Sequence, residues 1–305
     1  MKYILLLLAF TIGYINAQII NGYGNLSPSN SYVVDMTTYA KFSRAYRPQP
    51  QNMLAFGGLD TGASSYSLNA VYSNSANSIT WGLVNYMNGG VSDLETANAS
   101  SAYNTYQLNG ISLVPAIDTL FYLGYQKSSA GQNQVDLITF KFGSQLTLPI
   151  TVSRVAEGAY DYSSGSGYFV VSVTNSNHYQ CFWVDVTTNQ VVKNITINEF
   201  TPASIYKVFV YKQELYIVQP DSSGNYVEVY VVDWADQVAN LVSRVLISIQ
   251  PIEIQVSLTE SYLAIFCVAR NADTAIVPLI SLSDFTVADS LEYLPVSAGN
   301  IFFIY

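Results

Sequence analysis

Short apolar and aromatic runs alternate with polar turns along most of the 305-residue chain. The clearest set lies in residues 166–200, where three runs of strand-forming residues, 167–174, 180–186 and 191–197, are separated by turns rich in Asn, Ser and Thr. Runs of this length between such turns are typical of β-strands joined by tight hairpins. We therefore predict an antiparallel meander in this part of the chain.

The same pattern repeats along the sequence. Phe121, Tyr168, Leu215 and Tyr262 occupy the same place in successive units and recur every 47 residues. A further run at 155–162 precedes the three runs above and is the predicted inner strand, which makes four strands in the unit. A period of this size, with four strands in each unit, is typical of β-propeller blades. The chain thus resembles six-bladed β-propellers in general, over essentially its whole mature length, but it carries no signature of a particular propeller family. The resemblance implies an all-β fold of four-stranded blades.

The two ends of the chain complement each other. Residues 18–31 are interpreted as a lead-in segment, and 32–38 and 41–46 match the two outer strands of a blade. Residues 295–305 match the two inner strands. We predict that these ends form one composite blade that closes a ring of six, since closure removes exposed sheet edges. Two alternatives stay open, namely tandem β-sandwiches and a seventh blade within residues 73–106.

The N-terminus has the features of a secretory signal peptide. Lys2 is followed by an apolar run to Ile12, and the small residue Ala17 marks the predicted cleavage site. The run is shorter than the roughly 20 apolar residues that a membrane span needs. The sequence therefore predicts a secreted protein whose residues 18–305 form a single domain.

The formal net charge of −9, which becomes −10 when Lys2 is removed, argues against nucleic acid or an anionic membrane as a partner. Only 11% of the residues are charged while 50% are hydrophobic, so we expect partners or glycans to cover parts of the surface. Asn25, Asn98 and Asn194 each begin an Asn-x-Ser/Thr sequon and are predicted glycosylation sites.

Residues that could support catalysis or metal binding are sparse. His178, the single histidine, lies in a polar turn, which argues against a metal site and against a Ser-His-Asp triad. Cys181 and Cys267 fall on strands two blades apart, so we predict buried free thiols and no disulfide. We accordingly expect no cofactor, no metal and no catalytic residue.

The acidic residues admit two interpretations. Asp35, Asp185 and Asp233 end the third strand of their units, where they are expected to cap hairpins and not to gather around calcium. Glu157 and Glu253 lie where inner strands begin and are expected to be solvated. Since Asp161 is then the lone carboxylate expected on an inner strand, a glycosidase with paired carboxylates has weak support.

Several tyrosines fall on or near predicted inner strands, where one mouth of the ring would lie. Their rings would stack on sugars or anchor a protein partner, and the alternative is that they pack between adjacent blades. The candidate mouth residues are Tyr103, Tyr106, Tyr160, Asp161, Tyr162 and Tyr206.

From these features we predict a secreted, non-enzymatic structural or interaction protein. Its expected partners are further copies of itself, or other extracellular proteins or glycans. A carbohydrate-binding, lectin-like propeller is the second hypothesis and a glycoside hydrolase the third. A fold of this kind hosts many functions, so the resemblance alone does not choose between them.

Overall fold

A computed structural model describes residues 21–27, 30–35, 40–44, 52–59, 67–75, 78–85, 91–98, 109–114, 119–127, 133–139, 144–150, 156–258, 261–269, 275–293 and 301–304. The regular elements of these residues are β-strands. In chain order they are β1 (Asn21–Ser27), β2 (Asn30–Asp35), β3 (Ala40–Arg44), β4 (Asn52–Leu59), β5 (Ser67–Ser75), β6 (Ser78–Asn85), β7 (Val91–Asn98), β8 (Asn109–Val114), β9 (Thr119–Lys127), β10 (Asn133–Thr139), β11 (Ser144–Thr147), β12 (Glu157–Asp161), β13 (Gly167–Val173), β14 (Tyr179–Asp185), β15 (Gln190–Ile197), β16 (Lys207–Tyr211), β17 (Glu214–Pro220), β18 (Tyr226–Asp233), β19 (Val238–Leu246), β20 (Pro251–Leu258), β21 (Tyr262–Ala269), β22 (Ala275–Ser281), β23 (Val287–Tyr293) and β24 (Ile301–Ile304).

The described strands pair antiparallel into four-stranded sheets. Five of these sheets follow the chain order, β4 to β7, β8 to β11, β12 to β15, β16 to β19 and β20 to β23. The sixth has the order β24-β1-β2-β3. Each sheet is therefore a meander of short hairpins, apart from the place where β24 joins β1.

The sheets from β8 to β23 pack face to face as the blades of a β-propeller. On β13, Tyr168 and Val170 face a core shared with the preceding sheet, whereas Phe169 and Val171 face a core shared with the following one. On β17, Leu215 likewise packs toward the β12–β15 sheet, and its neighbours on the other face pack toward the β20–β23 sheet. Because successive side chains of a strand point to opposite faces, an uninterrupted apolar strand buries both faces of its sheet.

The 47-residue period marks the second strand of successive blades. Phe121 lies on β9, Tyr168 on β13, Leu215 on β17 and Tyr262 on β21. The first three of these side chains are at most 2% exposed. The repeat thus arises because the second strand of each blade is buried between neighbouring sheets on both faces and needs apolar residues at the same position.

The first strands of successive blades lie against one another, β8 against β12, β12 against β16 and β16 against β20. They are therefore the inner strands of the propeller. Side chains on β12 and β16 face a neighbouring blade at the place where the blades converge, and this arrangement positions the candidate site.

The predicted hairpin caps are confirmed for two of the three aspartates. Asp185 Oδ1 accepts hydrogen bonds from the Thr187 amide at 2.8 Å and the Thr187 hydroxyl at 2.6 Å. Asp233 Oδ1 accepts from the amides of Ala235 at 2.8 Å and Asp236 at 3.1 Å. These bonds hold the pKa of both carboxyls below the usual value. The side chain of Asp35 lies outside the described residues.

Two sequence-based predictions of strands need correction. Residues 18–31 do not form a plain lead-in segment, because Asn21–Ser27 is strand β1 and pairs with both β2 and β24, with Tyr23 opposite Phe302. That sheet takes three strands from the N-terminal part and one from the C-terminal part, where two and two were expected. Strand β7, Val91–Asn98, was not predicted, because its sequence is polar and lacks a run of strand-forming residues.

The prediction of free, buried cysteines is confirmed for both Cys181 and Cys267. Among the described residues, no helix is long and apolar enough to cross a membrane. The predicted signal peptide, residues 1–17, lies outside the described part of the chain.

Candidate functional site

Strands β12 and β16 begin at the same end of the propeller, because the inner strands of successive blades run in the same direction. We call this the upper end; Glu157 and Lys207 are the first residues of their strands there. The lower end is where the same strands finish, at Asp161 and Tyr211.

A salt bridge joins two blades at the upper end. Lys207 Nζ lies 2.8 Å from Glu157 Oε1, and the two side chains are 21% and 11% exposed. Glu157 was expected in solvent, and this prediction is wrong, since the residue is only 8% exposed. It lies on the same face of β12 as Ala159, which packs into the core shared with the β16–β19 blade.

Two opposing effects act on the Glu157 carboxyl. Burial raises its pKa, and this is the larger effect; the Lys207 charge and hydrogen bond oppose it. The net pKa lies above the usual value of a glutamate. A carboxylate whose proton affinity is raised, yet which keeps a little solvent access, suits proton transfer better than an ordinary surface glutamate.

Tyr206 connects the start of β16 to the neighbouring blade. Its hydroxyl donates to the Val171 carbonyl oxygen at 3.0 Å, and Val171 is paired with Glu157 in the β12–β13 ladder. The Tyr206 ring meets that of Tyr179 edge-on at 5.0 Å between centroids. Lys207 is therefore preceded by a buried residue with fixed contacts.

The predicted mouth residues do not gather at one place. Tyr160, Asp161 and Tyr162 lie at the lower end, whereas Tyr206 lies at the upper end. These ends are separated by the length of β12, five residues or about 13 Å. The other two members of the predicted set, Tyr103 and Tyr106, lie outside the described residues.

The lower-end residues have distinct surroundings. Tyr160 is 3% exposed and stacks on Phe121 at 5.3 Å, within the core between two blades. Asp161 is buried and accepts hydrogen bonds from the Ser163 amide at 3.0 Å and the Ser163 hydroxyl at 2.6 Å. Tyr162 is 61% exposed. Of these three side chains, Tyr162 is the one that presents a ring to solvent.

The metal-ligating residue types lie apart in the described ranges. They contain no group of three or more His, Cys, Asp or Glu side chains able to hold a metal ion. His178 lies in the turn before β14, where its Nδ1 is buried without a hydrogen-bond partner.

Among the glycosylation candidates, Asn194 is exposed on β15, and Asn25 and Asn98 lie on β1 and β7.

Lys207 was missed by the sequence-based reasoning. The sequence nevertheless contains a usable signal. Charged residues make up only 11% of the chain, and Glu157 and Lys207 are the first residues of corresponding strands. They lie 50 residues apart, which is close to one repeat. That spacing places opposite charges at matching positions of adjacent blades. The start of an inner strand is ordinarily expected in solvent, so the spacing alone does not predict that the two charges meet.

Solved structures share this fold at low sequence identity. TolB from Acinetobacter baumannii is 12% identical with a TM-score of 0.56, and the match covers 92% of this chain and 64% of TolB. This chain thus spans less than two thirds of that relative. A putative 6-phosphogluconolactonase from Bacteroides uniformis is 10% identical with a TM-score of 0.51, and the match covers 94% and 99% of the two chains.

A second putative 6-phosphogluconolactonase, from Bacteroides fragilis, is 9% identical with a TM-score of 0.50 and matches over 95% of this chain and 99% of its own. No protein-family model matches the chain. No curated protein matches it either. Likeness at this level of identity shows the fold alone.

These neighbours overturn the predicted function. A non-enzymatic structural or interaction protein was expected, with a lectin-like propeller or a glycoside hydrolase as alternatives. Instead, the whole-length structural neighbours include two that bear the name of a lactonase. The names of these two neighbours also lean against the expectation that the chain is not an enzyme, but at 9% and 10% identity they establish no activity for it.

Proposed function

We propose that this chain is an exported six-bladed β-propeller with a hydrolytic site for uncharged lactones or related esters at its upper end. Glu157 is the general base and Lys207 the group that stabilises negative charge on the substrate. The observation that carries the proposal is the salt bridge between these two residues, partly accessible and built from two inner strands.

The six-bladed ring rests on the strand contacts. Besides the inner-strand contacts already described, β4 contacts β8, β20 contacts β24 and β24 contacts β4. These contacts form a closed cycle of six first strands, with β24 as the inner strand of the sheet that both chain ends share. The ring is closed by the pairing of β24 with β1, which covers strand edges that would otherwise be exposed.

Export rests on the N-terminal sequence. Residues 1–17 have the composition of a signal peptide and residues 18–305 would form the mature domain. Asn25, Asn98 and Asn194 remain predicted glycan acceptors, and a mass decrease on enzymatic deglycosylation of the secreted protein would show that at least one of them is occupied. Of the three predicted contact residues at the lower end, Tyr160 and Asp161 are buried, so Tyr162 remains the predicted contact residue there.

The chemistry assigned to the upper end is hydrolysis of an ester carbonyl. The Glu157 carboxylate removes a proton from a water molecule as the water oxygen attacks the carbonyl carbon. The Lys207 ammonium stabilises the oxyanion that develops on the carbonyl oxygen. Collapse of the intermediate breaks the bond to the ring oxygen, which takes the proton from Glu157 to become a hydroxyl. Water and a lactone thus give a hydroxy acid.

Charge favours an uncharged substrate. Lys207 is already paired with Glu157, and the chain has a formal net charge of −9, which repels anions. The two lactonase neighbours are named for a phosphorylated substrate. We expect this chain to prefer the lactone without the phosphate, because a second cation would be needed to bind that group.

The test is hydrolysis of glucono-δ-lactone, compared with the 6-phosphorylated lactone, by purified mature protein. Glu157→Gln is expected to lower kcat/KM by about 100-fold or more. Glu199→Gln, in the exposed loop before β16, is the matched control and should leave activity unchanged. Hydrolysis no faster than in buffer, or equal activity of the Glu157→Gln protein, would refute the proposal.

A further inference from the structure

Two consecutive residues at the start of β16 reach across to the same place on the neighbouring blade. Lys207 Nζ contacts Glu157 Oε1 at 2.8 Å, and the Tyr206 hydroxyl donates to the Val171 carbonyl at 3.0 Å. Val171 and Glu157 are ladder partners on adjacent strands. The two bonds therefore end on one residue pair of the β12–β15 blade.

Tyr206 is itself fixed by a buried network. The residue is 5% exposed, and its ring contacts that of Tyr179, whose hydroxyl donates to Gln219 Oε1 at 2.8 Å. The same oxygen accepts the Ala203 amide hydrogen bond at 3.0 Å. The segment that leads into β16 is thus tied to the core at two points before Lys207. Buried networks with satisfied partners are rigid.

This rigidity matters for a lysine. A lysine side chain has a four-carbon flexible stem and loses substantial conformational entropy when its ammonium group is held in one place. A backbone anchored one residue earlier reduces the range of positions that the ammonium group can reach. The Tyr206 hydrogen bond supplies that anchor on the blade that carries Glu157.

We propose that Tyr206 is a positioning residue that holds Lys207 against Glu157 across the boundary between the two blades. The effect of this positioning on catalysis rests on the proposed function, but the placement of the Lys207 ammonium group can be measured without any substrate. Tyr206 acts through Lys207 and does not contact the reacting atoms. Among the described residues, the Lys207 ammonium group acts on the Glu157 carboxyl through its charge and through a hydrogen bond.

The experiment follows the ionisation of Glu157 directly. Protein labelled with ¹³C at the glutamate carboxyl carbons is titrated by NMR, and the Glu157 signal is assigned as the one missing from Glu157→Gln. Because an opposite charge at contact distance lowers a carboxyl pKa by about one to three units, Lys207→Met should raise that of Glu157 by about this amount. Tyr206→Phe should raise it by about half a unit or more, since the ammonium group is less firmly held.

Tyr211→Phe is the matched control, because it removes a hydroxyl from the other end of the same strand and should leave the Glu157 titration unchanged. A merely structural role of Tyr206 would lower stability without moving that titration. If Tyr206→Phe does not fold, Tyr179→Phe loosens the same network and should raise the pKa of Glu157 in the same direction.

An unshifted Glu157 titration in Tyr206→Phe, together with a shift in Lys207→Met, would overturn the proposal while leaving the ion pair intact. Lactone hydrolysis is measured on the same proteins, and Tyr206→Phe should lower kcat/KM with its acid limb moved to higher pH. If the wild-type protein hydrolyses no lactone but the titrations behave as expected, the proposed function fails and the positioning role stands.

Discussion

Removing Lys207 tests the energetics of the upper end most directly. In Lys207→Met the aliphatic stem is retained, but the Glu157 carboxylate loses the partner that lies 2.8 Å away. Loss of one member of a fully buried ion pair costs about 3–5 kcal/mol, whereas exposed pairs contribute about 0–1 kcal/mol. Since the two side chains are 21% and 11% exposed, we expect a loss of about 2–3 kcal/mol near neutral pH.

The loss should depend on pH in a defined direction. When the pKa of a group is higher in the folded state than in the unfolded state, its contribution to stability is fully present at any pH below the unfolded-state pKa. That contribution is lost as the pH rises through the folded-state pKa. Burial already raises the pKa of Glu157, and removal of Lys207 raises it further. The destabilisation of Lys207→Met should therefore grow as the pH rises, and it should be larger at about pH 8 than at about pH 5.

The assay is equilibrium unfolding in urea, followed by tryptophan fluorescence at both pH values, for a double-mutant cycle of Lys207→Met and Glu157→Gln. The double variant should recover part of the loss and give a coupling energy of about 1–2 kcal/mol. Lys193→Met, at an exposed position of β15, is the control and should change stability by about 0.5 kcal/mol or less. A coupling energy near zero, or equal losses at both pH values, would refute the reasoning.

Three further predictions concern the framework. A Cβ at Gly158 would lie 2.6 Å from both the Cε1 atom and the hydroxyl oxygen of Tyr168, which is fully buried. Gly158→Ala should therefore cost about 1–3 kcal/mol in urea unfolding, and an unchanged midpoint would show that the Tyr168 side chain relocates. Hydrogen bonds lower the pKa of Asp185, so its stabilising effect is present above the unfolded-state pKa and is lost as the pH falls through the folded-state pKa. Asp185→Ala should therefore lower the melting temperature at neutral pH, and the melting temperatures of variant and wild type should converge in strong acid. A difference in melting temperature that stays constant with pH would contradict the cap. Burial raises the pKa of the Cys181 and Cys267 thiols, so a thiol reagent such as Ellman's should label them only after unfolding; rapid labelling of native protein would show that they are accessible.

Much of the fold was predictable because each blade meets the same local requirement. The strands expected at 167–174, 180–186 and 191–197 correspond to β13, β14 and β15 within a residue or so. A central strand that is buried on both faces needs consecutive apolar residues, and hairpins need turn residues, so both leave a local record. The outermost strand β7 leaves a weaker record, because it has only one strand neighbour in its sheet and its sequence is polar.

The candidate site was less predictable, because it depends on which side chains meet between blades. Asp161 was favoured as the inner carboxylate, yet its Oδ1 serves a local turn with Ser163. Glu157 is expected in solvent from its place at the start of a strand, yet it is largely buried with Lys207. The position of a residue in its own strand does not report how deeply the adjacent blade covers it.

The amino-acid sequence by itself determined the all-β repeat, the strand order within each blade and the hairpin caps, since these follow from local alternation and turn chemistry. The tertiary structure decided the pairing of β1 with β24, the separation of Tyr206 from Tyr160, and the meeting of Glu157 with Lys207. Such contacts join residues far apart in the chain, and their energies depend on burial and on the distance between charges, which exist only once the blades have packed together.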